Sequence, residues 1–112
     1  QPVVETAEAD DGLLRMHCVW RNSMGEQMHS QNRHLMTLDG DVPREIDFLW
    51  HDCATSVRAE AWLDGCDIVA RIPSRMPDEV RYAWSNSPES GLICDGDGVL
   101  LPPFHLPLPM VD

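Results

Sequence analysis

A serine esterase of the compact hydrolase type needs its serine in a tight Gly-Asp-Ser or Gly-Gln-Ser-Asn turn. It also needs a late histidine, usually preceded by aspartate, to take the proton. Ser23, Ser30, Ser56, Ser74 and Ser90 stand in no such context, and His105 lies in a proline-rich segment with no aspartate two or three residues before it. No catalytic residue is assigned. His29 and His34 are spaced wrongly for one face of a helix or of a strand. His51 and Cys53 would share a strand face but make only two ligands. Asp95-Gly96-Asp97-Gly98 opens like a calcium loop but lacks the closing glutamate; a turn of residues that tolerate positive φ explains it more simply. No metal and no other cofactor is implied. Cys18, Cys53, Cys66 and Cys94 contain no Cys-x-x-Cys pair, which argues against a zinc ribbon or a thioredoxin-type site. They read as small core hydrophobes, with three disulfide pairings open.

What remains is recognition. Trp20, Trp50, Trp62, Tyr82 and Trp84 could stack on sugar rings. Trp20, Trp50 and Trp84 share strand faces with Leu14, Ile46 and Val80, so they are expected in the core. Trp62 alternates with Ala61 and Leu63 and stands between Glu60 and Asp64; it is expected to face outward, toward sugar or protein. Arg81 points away from the face of Tyr82 and Trp84, and is expected to pair with an acid on a neighbouring strand or to hold carbonyls of the closing loop. Trp62 and Arg81 are the two binding candidates.

The elements that must position these residues are strands. Leu14, Met16, Cys18 and Trp20 alternate with polar positions, as do Ile46, Phe48 and Trp50. Val57 to Leu63 reads as one strand, turning at Asp64-Gly65 into a returning strand through Cys66, Ile68, Ala70 and Ile72. Helix-friendly residues at Asp52–Trp62 compete with this reading, and the hairpin decides for strand. A weaker strand spans His34–Leu38 before a turn at Leu38-Asp39-Gly40-Asp41, and Val80, Tyr82 and Trp84 form the apolar side of another. Asn86-Ser87-Pro88 marks a further turn. The expectation is an all-β sandwich or open barrel of six or seven short antiparallel strands with extended termini. Residues 1–11 read as an acidic arm, flexible or docked on a partner; residues 12–105 as a single β-domain; residues 106–112 as an extended proline-rich tail. Val3, Val4, Leu106, Leu108, Met110 and Val111 sit in segments too irregular to bury themselves and are expected to make intermolecular contacts.

Nineteen acidic residues face eight arginines and no lysine, a formal net charge of −11. Such a field repels phosphate backbones and anionic lipid, so neither nucleic acid nor membrane is an expected partner. An anionic sugar would need a local arginine site to overcome it. The start at Gln1 suggests a processed product or a piece of a longer chain, and an extracellular, cell-surface or virion setting is expected over the cytoplasm.

Val80-Arg81-Tyr82-Ala83-Trp84, followed by Pro88, Leu92, Gly98 and Pro103-Phe104, resembles the C-terminal signature of the sialate O-acetylesterase family. Ala59-Glu60-Ala61-Trp62-Leu63-Asp64-Gly65 resembles the hairpin that precedes it. The resemblance runs over roughly Val57 to Phe104, with Leu100 where the family has proline and Gly91 where it has asparagine. In that family the catalytic serine and histidine motifs lie upstream, and no such motif occurs here. The resemblance therefore implies a shared β architecture and a non-catalytic accessory or interaction domain, whose active site lies on another chain or segment. The alternative is a structural subunit of an assembly, such as a virion decoration or surface-lattice protein. Either reading calls for a protein partner or a homo-oligomeric assembly, with carbohydrate as a further possible ligand.

Overall fold

The computed structural model describes residues 1–28, 33–40, 42–84 and 91–108. His29, Ser30, Asp41, Asn86-Ser87-Pro88, Ser90, Met110 and Val111, singled out above, lie outside the described residues. Among those described, the chain forms strands and no helix: β1 (Pro2–Asp10), β2 (Leu13–Arg21), β3 (Gln27–Met28), β4 (Leu35–Thr37), β5 (Ile46–Leu49), β6 (Ser56–Arg58), β7 (Ala61–Asp64), β8 (Asp67–Arg71), β9 (Glu79–Tyr82), β10 (Ile93–Asp95) and β11 (Phe104–Pro107). All pairings are antiparallel. One sheet has the order β1-β2-β8-β7, with β3 on β2; a second has the order β11-β9-β5-β6; β10 and β4 form a small third. The fold is all-β and is not a closed barrel.

The main sheets meet over one core. Leu14, Met16, Cys18, Ile68 and Ala70 come from the first, Ile46, Phe48, Val80 and Tyr82 from the second, and Leu35 and Ile93 from the third. These are largely the alternating positions the period-two pattern selects. The Tyr82 hydroxyl accepts a 2.7 Å hydrogen bond from the Ile93 amide, so a fully buried aromatic of the second sheet also anchors the third. Phe104 stacks on Tyr82 with ring centroids 5.4 Å apart, closing the core from the proline-rich end.

Four expectations change. The arm at residues 1–11 is strand β1, paired along its length with β2. A bulge at Glu5 shifts the register between Val4 and Thr6, so Val4 and Ala7 face the core three residues apart and the alternation is hidden. Asp11 and Gly12, with φ of 53° and 78°, close this hairpin as a two-residue type I′ turn. Second, Val57 to Leu63 is not one strand. The chain changes sheets after Arg58, so β6 pairs with β5 and β7 with β8, and Val57 is exposed. Third, residues 106 and 107 continue β11 against β9, and Leu106 and Leu108 pack on the core of their own chain.

The fourth change concerns Trp84. Strand β9 stops at Tyr82, and Ala83 takes φ 53°, a conformation few residues with a Cβ adopt. The alternation breaks there, and Trp84 turns outward with 53% of its surface exposed. Trp20 is in the core as expected, and Trp50 is half-buried with its indole N–H donated to the Met76 carbonyl.

Candidate functional site

Strand pleating builds the outer face of the β11-β9-β5-β6 sheet. Val80 and Tyr82 point inward, so Glu79 and Arg81 point out; Ile46 and Phe48 point inward, so Asp47 and Leu49 point out. The register sets His105 opposite Arg81, Arg81 opposite Asp47, and Asp47 opposite Arg58, a row of charged side chains across four strands. Trp84 sits at one end of the row. Its ring centroid lies 5.5 Å from that of His105, and Arg81 Cζ lies 5.9 Å from the indole centroid.

Most of this row is tied together. Arg58 donates to Asp47 at 2.6 Å and to the buried carboxylate of Glu45 at 3.1 Å. Glu79 has His105 Nε2 at 2.9 Å, His51 Nε2 at 3.5 Å and Arg81 Nη2 at 3.6 Å. The His105 contact, aided by the charges of Arg81 and His51, holds the Glu79 carboxyl below the usual carboxylate range. Arg81 is the exception. Among the described residues it makes no hydrogen bond, its ion pair with Glu79 is long, and its Nε is buried without a partner. The acid that the register sets opposite Arg81 on the neighbouring strand, Asp47, is instead engaged by Arg58.

Trp62, the other candidate, stands elsewhere. It lies on β7, half-buried, on a groove of about 600 Å³ lined also by Val42, Pro43, Arg44, Arg58 and Glu60. The Arg71 guanidinium lies 5.6 Å from its ring centroid and donates to Glu60 at 3.2 Å. Trp62 is thus partly covered by its own sheet. The structure does not bring Trp62 and Arg81 into one pocket; Arg58 borders the groove and the charged row alike. Sequence reasoning missed Trp84, His105, Glu79 and His51 as a group. The one usable signal was the alternation of His105 with Phe104 and Leu106.

Other titratable clusters serve the fold. Asp67 holds Arg15 at 2.8 Å and His17 at 2.7 Å; burial pushes its carboxyl up, but those two hydrogen bonds win and keep it below the usual range. Asp95 closes its own turn by accepting from the Asp97 and Val99 amides at 2.9 and 3.0 Å, and it takes the Trp20 indole N–H at 2.9 Å. All four cysteines are free thiols, and burial pushes Cys18 up to about 12. Among the described residues no group of three or more potential ligands could hold a metal ion. His17, His51 and His105 all face carboxylates.

Fold and site together describe an all-β domain with an exposed tryptophan and a charged row on one sheet face. Among solved structures the chain is similar to XAC1771, a carbohydrate acetylesterase from Xanthomonas citri, with a TM-score of 0.70 and 23% identity. The likeness covers 94% of this chain and 22% of that one, so the chain spans about a fifth of that enzyme's length. At this identity the likeness shows a shared fold. No family model and no curated protein matches the chain.

Proposed function

We propose that this chain is a non-catalytic accessory β-domain of a carbohydrate O-acetylesterase, whose catalytic serine and histidine lie on another segment or chain. One observation carries the reading: nearly the whole chain overlays on a minor part of a carbohydrate acetylesterase. The Val80–Trp84 block and the Pro103-Phe104 close, read above as esterase-like, also occupy defined structural roles. Val80 and Tyr82 fill the core, Ala83 turns the chain, and Phe104 stacks on Tyr82. His17, His51 and His105 are each engaged by a carboxylate of their own sheet face, which fits a structural role for them.

The test is ester turnover. The purified chain should hydrolyse p-nitrophenyl acetate no faster than buffer, and His105→Ala should change nothing. Turnover above background that disappears on changing one serine to alanine would refute the proposal.

A further inference from the structure

We propose that the outer sheet face at Trp84 and Arg81 is a binding surface for a neutral, pyranose-based polysaccharide. The inference rests on the accessory-domain reading for its choice of ligand class, but the geometry supplies the site. Trp84 is exposed over half its surface, and Ala83 holds it there through a positive-φ backbone that any strand continuation would avoid. The indole face is thereby left open to stack on a ligand. Arg81 and His105, cross-strand partners, both approach the indole and limit its movement. An aromatic fixed by its neighbours binds with little loss of rotamer freedom.

The polar groups beside it suit hydroxyl recognition. Among the described residues the Arg81 guanidinium makes no hydrogen bond and only a long, 3.6 Å ion pair with Glu79, whereas Arg15, Arg21, Arg58, Arg71 and Arg75 all donate to carboxylates. Glu79 supplies carboxylate oxygens on the same face, beside His105 and His51. One ring for stacking beside a guanidinium and a carboxylate is what a sugar ring presents in complement: an apolar C–H face edged by hydroxyls. The ligand is neutral because Glu79 and Asp47 flank Arg81 and the whole chain carries −11, which opposes a carboxylate-bearing sugar.

Affinity electrophoresis of the full chain in gels containing hydroxyethyl cellulose, galactomannan or arabinoxylan tests this, with polygalacturonate as the anionic probe. At least one neutral polymer should retard the chain. Trp84→Ala should weaken that retardation about tenfold or more, as expected for loss of a central aromatic contact. Arg81→Gln should weaken it less, and Met24→Ala, at an exposed apolar residue away from this face, should leave it unchanged. Urea melts of Trp84→Ala should match the parent and show that the loss is not unfolding. No retardation by any neutral polymer would overturn the proposal. So would retardation by polygalacturonate alone, full binding by Trp84→Ala, or loss in Trp84→Ala of association with an esterase polypeptide in place of sugar binding. None of these results bears on ester turnover, so this proposal can fail while the accessory-domain reading stands.

Discussion

Replacing Asp95 with alanine should be among the most damaging single changes in the chain. Its side chain is buried to 1% exposure and accepts from the Trp20 indole, the Asp97 amide and the Val99 amide, with the Arg33 guanidinium at 3.5 Å. Removal leaves the Trp20 N–H, itself 97% buried by the residue's 3% exposure, without an acceptor. A buried donor left unpaired costs about 1–3 kcal/mol, and a hydrogen bond to an ionised group contributes about 1.5–3. The turn amides regain part of their loss from water, since Asp97 and Val99 are exposed. The sum is about 3–5 kcal/mol, against a total of about 5–15 for a domain of this kind. Urea melts followed by tryptophan fluorescence measure it. A loss below about 1 kcal/mol would refute the claim that Asp95 joins β10 to β2 through Trp20. The pH dependence follows with a definite sign. Burial pushes the Asp95 carboxyl up, but the Val99, Trp20 and Asp97 hydrogen bonds and the Arg33 charge outweigh it and hold the carboxyl below its ordinary value. Its contribution is therefore complete above an unfolded-state value of about 4 and is lost as pH falls through the folded one. Asp95→Asn should be less stable at neutral pH and should lose less further stability on acidification.

Gly91→Ala should destabilise by about 2–4 kcal/mol, because φ is +69° and an added Cβ would meet the Val42 carbonyl oxygen at 2.5 Å and the Arg44 nitrogen at 2.8 Å, both backbone atoms. Denaturant titration of that variant checks it. Trp84→Ala should cost less than about 1 kcal/mol, whereas Phe48→Ala, at 1% exposure, should cost about 3–5 kcal/mol; the same melts compare them. Deleting residues 1–10 should unfold the chain, since this removes the edge strand that covers β2, and circular dichroism of the truncated chain would show it.

Much of the fold is legible in the residues because its two main faces obey period two. Leu14 to Trp20, Ile46 to Phe48 and Val80 to Tyr82 supply most of the core, and Asp64-Gly65 marks a real hairpin. What is hidden has local causes. One bulge at Glu5 puts β1 out of phase, so a paired strand reads as an irregular acidic arm. The sheet change after Arg58 keeps the alternation going while the partner strand changes. Ala83 carries no turn signal, since alanine rarely takes positive φ, and so the exposure of Trp84 cannot be read from the alternation that precedes it. The site is less legible than the fold, because Glu79, His51 and His105 come from separate segments and only the strand register brings them together. Arg81 could be named in advance, but the occupancy of Asp47 by Arg58 could not.

The central claim is that this domain belongs to an acetylesterase without supplying its nucleophile. A fluorophosphonate probe for active serines, applied to the native particle recovered from its source and read by native mass spectrometry with peptide mapping, tests it most directly. The account predicts acetylesterase activity in a particle containing this domain, with the label on a serine outside these 112 residues. A label on a serine within them, or a particle built only of copies of this chain that takes no label, would contradict it.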